Sequence, residues 1–99
     1  MTGTEKQIVL AEKIRKEFMV RYERYCEENI EQANRVMLAH PERKAQIEES
    51  LEESKEQMQK IREYFIGQTE ASYWIETRGV LAKDIIRKAI IDLGIRKNA

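Results

Sequence analysis

The chain has 99 residues, with 18 Lys and Arg against 18 Asp and Glu, so it is formally neutral. That length holds a single domain, and the charge balance excludes a polycationic nucleic-acid arm or an acidic solvating tail. One proline and four glycines are too little punctuation for a many-stranded β fold, and the richness in Glu, Lys, Arg, Ile and Ala is that of a helical bundle or coiled coil.

The first helix has a marked start. Thr4 and Gln7 have the spacing of a capping box, which leaves Met1–Gly3 as a loose terminus. An apolar stripe then runs through Ala11, Ile14, Phe18, Tyr22, Cys26, Ile30, Ala33 and Met37. Its steps of three and four keep one side of a helix toward one partner surface. No glycine or proline interrupts 5–39, so the spacing predicts one helix of about 50 Å.

His40 and Pro41 end it, because proline disfavours a helical conformation in the residue before it and suits the first turn of the next helix. A second helix is predicted over 42–66. Its seam of Ile47, Leu51, Ser54, Met58, Ile61 and Phe65 is a strict heptad pattern with one polar position, and Gly67 stands where a left-handed C-cap belongs.

A third helix is predicted over 70–93, capped by Thr69 with Glu70 in its first turn. It carries two stripes, Trp74–Leu81–Ile85 and Ile75–Ala82–Ile86–Ala89–Leu93, and closes at Gly94 and Ile95 as a Schellman cap, with Arg96 and Lys97 at the negative end of the dipole. Gly79 interrupts it at a cost of about 1 kcal/mol relative to alanine; it marks either a kink or a close helix approach. With short connections throughout, the expected fold is all-α: three long antiparallel helices in up-down-up order.

Apolar residues in excess of what three thin helices can cover predict self-association. Ile8, Val9 and Leu10 near the start, with Ile90 and Ile91 near the end, would form a patch that soluble monomers rarely leave open. A symmetric homodimer covers it with a copy of itself.

Chemistry-bearing residues are sparse. Helix two bears Glu48, Glu49, Glu52, Glu53 and Glu56, and pairs of carboxylates four apart can share a hard divalent cation. The string Glu48-Glu49-Ser50-Leu51-Glu52 is similar to the acidic helix motif of the all-α NTP pyrophosphohydrolases, which hold Mg²⁺ between that motif and a second one on a later helix. Glu49, Glu52 and Glu53 are the metal candidates by that likeness. The third helix offers only Asp84 and Asp92, two turns apart, and a solvated acidic face is the simpler reading.

Opposite charge gathers toward the C-terminus. Residues 78–99 hold six basic and two acidic side chains, whereas 42–56 hold three basic and six acidic. Arg78, Lys83, Arg87 and Lys88 therefore make a modest phosphate-binding strip, with Tyr73 and Trp74 beside it as stacking candidates. Trp74 shares a helical face with Leu81, which favours a core role instead.

Cys26 sits on the inward stripe as a small hydrophobe, and the only histidine, His40, belongs to a helix junction. No second cysteine or histidine exists to complete a zinc site. No cofactor is expected. A single cysteine that cannot pair within the chain points to the cytoplasm, and no apolar run approaches the roughly 18 residues of a membrane span.

Two stretches carry a family resemblance: Gly3-Thr4-Glu5-Lys6-Gln7-Ile8 continuing through Ala11-Glu12-Lys13-Ile14-Arg15, and Thr69-Glu70-Ala71 continuing through Trp74-Ile75 to Arg78. They resemble a small helical domain of bacterial phage-, plasmid- and mobile-element-type proteins. Two positions depart from that pattern: Leu10 stands where it has an aromatic, and Tyr73 where it has a second tryptophan. The resemblance implies a helical domain and supplies no catalytic residues.

These readings converge on a helical interaction module that forms a homo-oligomer and docks a larger protein. Nucleic-acid binding through the basic strip is the alternative, and Mg²⁺-dependent nucleotide hydrolysis the third reading.

Overall fold

In a computed structural model, residues 1–95 are described, and they form four α-helices: α1 (Glu5–Ala39), α2 (Lys44–Ile66), α3 (Ala71–Glu76) and α4 (Ala82–Asp92). A single 3₁₀ turn, Pro41–Arg43, joins the first two. None of these helices is long and apolar enough to cross a membrane.

The start of α1 follows its sequence. The Gln7 N–H donates to Thr4 Oγ1 at 3.2 Å and the Thr4 N–H donates to Gln7 Oε1 at 2.9 Å, which satisfies two N–H groups that a helix start otherwise leaves open. The residues before it are not loose. Thr2 forms a parallel bridge with Glu70, its N–H donating to Thr69 O at 2.7 Å and its carbonyl accepting from the Ala71 N–H at 2.9 Å. Gly3 makes this approach possible: its φ is +147°, and a Cβ there would stand 3.0 Å from the Ala71 Cβ.

That bridge also corrects the reading of α3. Its N-cap is Glu70 rather than Thr69, without a side-chain cap bond; the Thr2 carbonyl takes the first helical N–H instead. At the end of α2, Gly67 is right-handed (φ −73°) rather than left-handed. The Gln68 amide donates to the Tyr64 carbonyl at 3.2 Å and closes that end without a left-handed residue.

The single helix predicted over 70–93 is two helices. α3 stops after six residues, where the Thr77 hydroxyl donates to the Trp74 carbonyl at 2.6 Å. The chain turns through Gly79 at φ +84°, and Leu81 is extended (ψ 138°) before α4 begins. Nothing lies within 4 Å of where a Gly79 Cβ would be, so the glycine serves the turn and not a close approach. The break re-phases the predicted stripes: Trp74 is fully buried, whereas Leu81, assigned to its face, is 61% exposed. At the far end, Gly94 has φ +68°, the Ile95 N–H donates to Ile90 O at 3.1 Å and the Gly94 N–H to Ile91 O at 3.0 Å, the predicted Schellman pair. Arg96 and Lys97 lie outside the described residues.

α1 and α2 run antiparallel: Phe18 meets Phe65, Tyr22 meets Met58, and Arg62 meets Glu23. α3 and α4 then pack on the first part of this hairpin. Every buried hydrophobic residue falls within 11–26, 61–65 or 71–89: Ala11, Phe18, Tyr22, Cys26, Ile61, Phe65, Ala71, Trp74, Ile86 and Ala89. At the centre Phe18 and Phe65 meet edge to face with centroids 4.7 Å apart, and Trp74 lies 5.7 Å from Phe18. Burial of Tyr22 and Trp74 also requires partners for their polar atoms. The Tyr22 hydroxyl donates to Met58 O at 2.6 Å and the Trp74 indole N–H to Gln68 O at 2.9 Å.

The remainder of the hairpin projects beyond this core. From Glu27 to Gln57 no residue is buried, and the seam residues Ile30, Ala33, Val36, Met37, Ile47 and Leu51 are half-buried. The molecule measures 55 × 24 × 19 Å with a radius of gyration of 16.1 Å, against about 13 Å for a compact chain of this length.

Candidate interaction surface

The projecting hairpin leaves a groove of about 300 Å³ between its helices, on the side where α4 ends. Tyr22, Tyr25, Asn29 and Ala33 of α1 form one wall, Ile47, Leu51, Ser54, Met58 and Ile61 of α2 the other, and Ile90 of α4 closes the inner end. The α2 wall is the heptad seam itself. Over the core half of the molecule α4 covers that seam, with Ile86 and Ala89 turned inward. Past Ile90 the seam continues with its residues only half-buried.

The two ends differ in charge. Residues 27–57 carry nine acidic and four basic side chains, a net −5. On α4 and the turn before it, Arg78, Lys83, Arg87 and Lys88 are all exposed, opposed only by Asp84 and Asp92. Asp92 is engaged, accepting from the Tyr64 hydroxyl at 3.0 Å. At the shoulder where the hairpin leaves the core, Arg62 clamps Glu23 through two bonds of 2.7 and 3.2 Å, its guanidinium 5.8 Å from the centre of the Tyr22 ring. The bond to Glu23 raises the Arg62 pKa above its ordinary value despite partial burial.

The residues singled out in the sequence are placed as follows. Ile8 and Ile90 pack against the core, Leu10 is half-buried, and Val9 and Ile91 are 66% and 53% exposed. They do not form one patch. Ile90 lies beside Tyr22, and Ile8 is fourteen residues away along α1, about 21 Å by helical rise. A further apolar surface, partly open, lies along the projecting hairpin, where Tyr25 is exposed and Ala33, Ile47 and Leu51 are half-buried. The signal for it was present: the α1 stripe runs on to Met37 and the α2 seam begins at Ile47, beyond the reach of any third helix.

Glu49, Glu52 and Glu53 are exposed. Glu52 faces Lys55 at 3.8 Å and Glu48 faces Lys44 at 3.8 Å. Among the described residues no three His, Cys, Asp or Glu side chains are grouped as metal ligands. Trp74 is fully buried beneath α3 and offers no face to a nucleic-acid base, while Tyr73 packs edge-on against it at 5.0 Å. His40 lies exposed at the helix junction, its Nδ1 3.4 Å from Glu42.

Cys26 is buried in the shoulder. Burial, which penalises the thiolate, pushes its pKa above the ordinary value, only partly offset by the hydrogen bond to Tyr22 and the charge of Arg62. A group so placed is a packing residue and a poor nucleophile.

Comparison with protein-family models, with curated proteins and with solved structures gave no match.

Proposed function

We propose that this protein is a helical interaction module that works by associating with a second copy of itself. One observation carries the reading: the apolar seam of the α1–α2 hairpin runs on past the core, and there Tyr25, Ala33, Ile47 and Leu51 line a groove that leaves them half-buried or exposed. Two helices without a third layer bury too little to hold a hairpin firmly, and a symmetric partner supplies that layer. The sparse polar chemistry supports binding rather than catalysis as the role, as does the likeness of two short stretches to helical domains of mobile-element proteins, which brings no catalytic residues with it. A reducing compartment such as the cytoplasm suits the buried lone thiol, and docking of a larger protein is compatible with a dimer whose outer faces stay polar.

Sedimentation equilibrium from 1 to 100 μM tests this. The expected mass is twice 11.8 kDa at the upper end, dissociating on dilution. A mass of one chain throughout that range overturns the reading.

A further inference from the structure

The shape of the chain points to how two copies meet. α4 packs on the core part of the hairpin and not on its projecting part, so the face carrying α4 has a step in it: α4 ends at Asp92, and its Ile90 closes the inner end of the groove. α4 spans eleven residues, about 16 Å, and the projecting part of α1 from Glu27 to Ala39 about 20 Å. The raised part therefore matches the recess in length. A two-fold axis perpendicular to the long dimension brings each raised part over the other copy's recess.

The chemistry of the two parts also matches. The outer face of α4 presents Lys83, Arg87 and Ile91, each four residues from the next and all exposed, with the exposed Asp84 beside them and Lys88 next to it, a net basic face with an apolar end. The recess is lined mainly by apolar side chains, with Asn29, Ser50, Ser54 and Gln57 among them. By helical spacing its rim includes Glu28, three residues from Tyr25, and Glu53, four from Gln57, with Glu49 one turn further. A stack of hairpin on hairpin would instead bring two net −5 segments together, a repulsive arrangement.

We propose that the second copy docks antiparallel, the α4 outer face of each chain (Lys83, Arg87, Ile91) lying in the hairpin groove of the other. This rests on the self-association proposed above, and the test separates the two. Two charge-reversed chains are made, E28K/E49K/E53K in the hairpin and K83E/R87E in α4, all at exposed positions. Each alone should self-associate at least tenfold more weakly than the parent at 100 mM salt. An equimolar mixture should restore the dimer as a one-to-one pair, since both of its interfaces regain opposite charge. As a check that does not depend on charge, S50C/I91C on a C26S background should give a disulfide-linked dimer on a non-reducing gel.

A parent chain that is monomeric at every concentration overturns both proposals and leaves the groove to a helix of a different protein. A parent dimer that K83E/R87E leaves intact, or the cysteine variant failing to cross-link between chains, overturns the antiparallel arrangement alone.

Discussion

Tyr22 and Cys26, one helical turn apart, show how single side chains define the shoulder of the molecule. Burial pushes both pKa values up, and their mutual hydrogen bond adds to the rise at Tyr22. Tyr73 is pushed up to about 12 by burial and by its neighbour Tyr64, which is itself raised by burial and by Asp92. In each case the unfolded chain releases its proton at a lower pH than the folded one. The stability tied to these groups is therefore complete below about pH 7.5, where even the unfolded thiol keeps its proton, and is lost as pH climbs toward 12. The melting temperature should fall steadily between pH 8.5 and 11, and Tyr73→Phe, which removes one titrating group, should fall less steeply. A flat profile for the parent chain would count against this burial.

Among the elements, the α3–α4 junction turns on a single residue. Gly79 at φ +84° occupies a backbone region that costs an L-residue about 1–2 kcal/mol. Gly79→Ala should lower stability by that amount, a fall of about 4 °C or more in melting temperature for a domain of this size, although open space awaits the methyl group. Gly67, right-handed at the end of α2, makes no such demand, and Gly67→Ala should cost less in the same thermal melt. Equal losses at the two sites would remove the backbone argument. The break has a consequence for packing as well. It lets α3 bring Ala71 and Trp74 onto the core while α4 starts afresh with Ile86 and Ala89 inward and Lys83, Arg87 and Ile91 outward.

At the level of the whole molecule, stability is unevenly distributed. The aromatic core joins 11–26, 61–65 and 71–89, and 27–57 has no buried residue. Regions with few buried contacts open most readily. Backbone amides of residues 27–38 and 44–57 should exchange with solvent at least tenfold faster than those of 14–26 when the chain is dilute. Under the self-association proposed above, raising the concentration should slow the hairpin amides selectively, because a second copy would then cover the groove. Exchange that is uniform along α1 at low concentration would show a hairpin already stable by itself.

Much of this was legible in the sequence because it depends on neighbours three to five residues apart. The Thr4–Gln7 box, the stop at His40–Pro41 and the Schellman pair at Gly94–Ile95 are local hydrogen-bond problems, solved by residues already adjacent in the chain. The apolar periods of α1 and α2 likewise determined which faces would meet. The metal, nucleic-acid and dimer-patch residues were placed by type and spacing alone, and spacing along a helix gives no account of depth. The tertiary structure decided three matters. Thr2 reaches the start of α3 across sixty-eight residues, a bond that no local pattern encodes. The helix predicted over 70–93 breaks at Gly79, because a glycine inside an apolar stretch suits a helix interior or a turn, and only packing of Trp74 against Phe18 and Phe65 selects the turn. A partly covered apolar seam lies on the projecting hairpin, in addition to the exposed Val9 and Ile91, since what remains uncovered depends on how far α4 reaches along the seam before it ends.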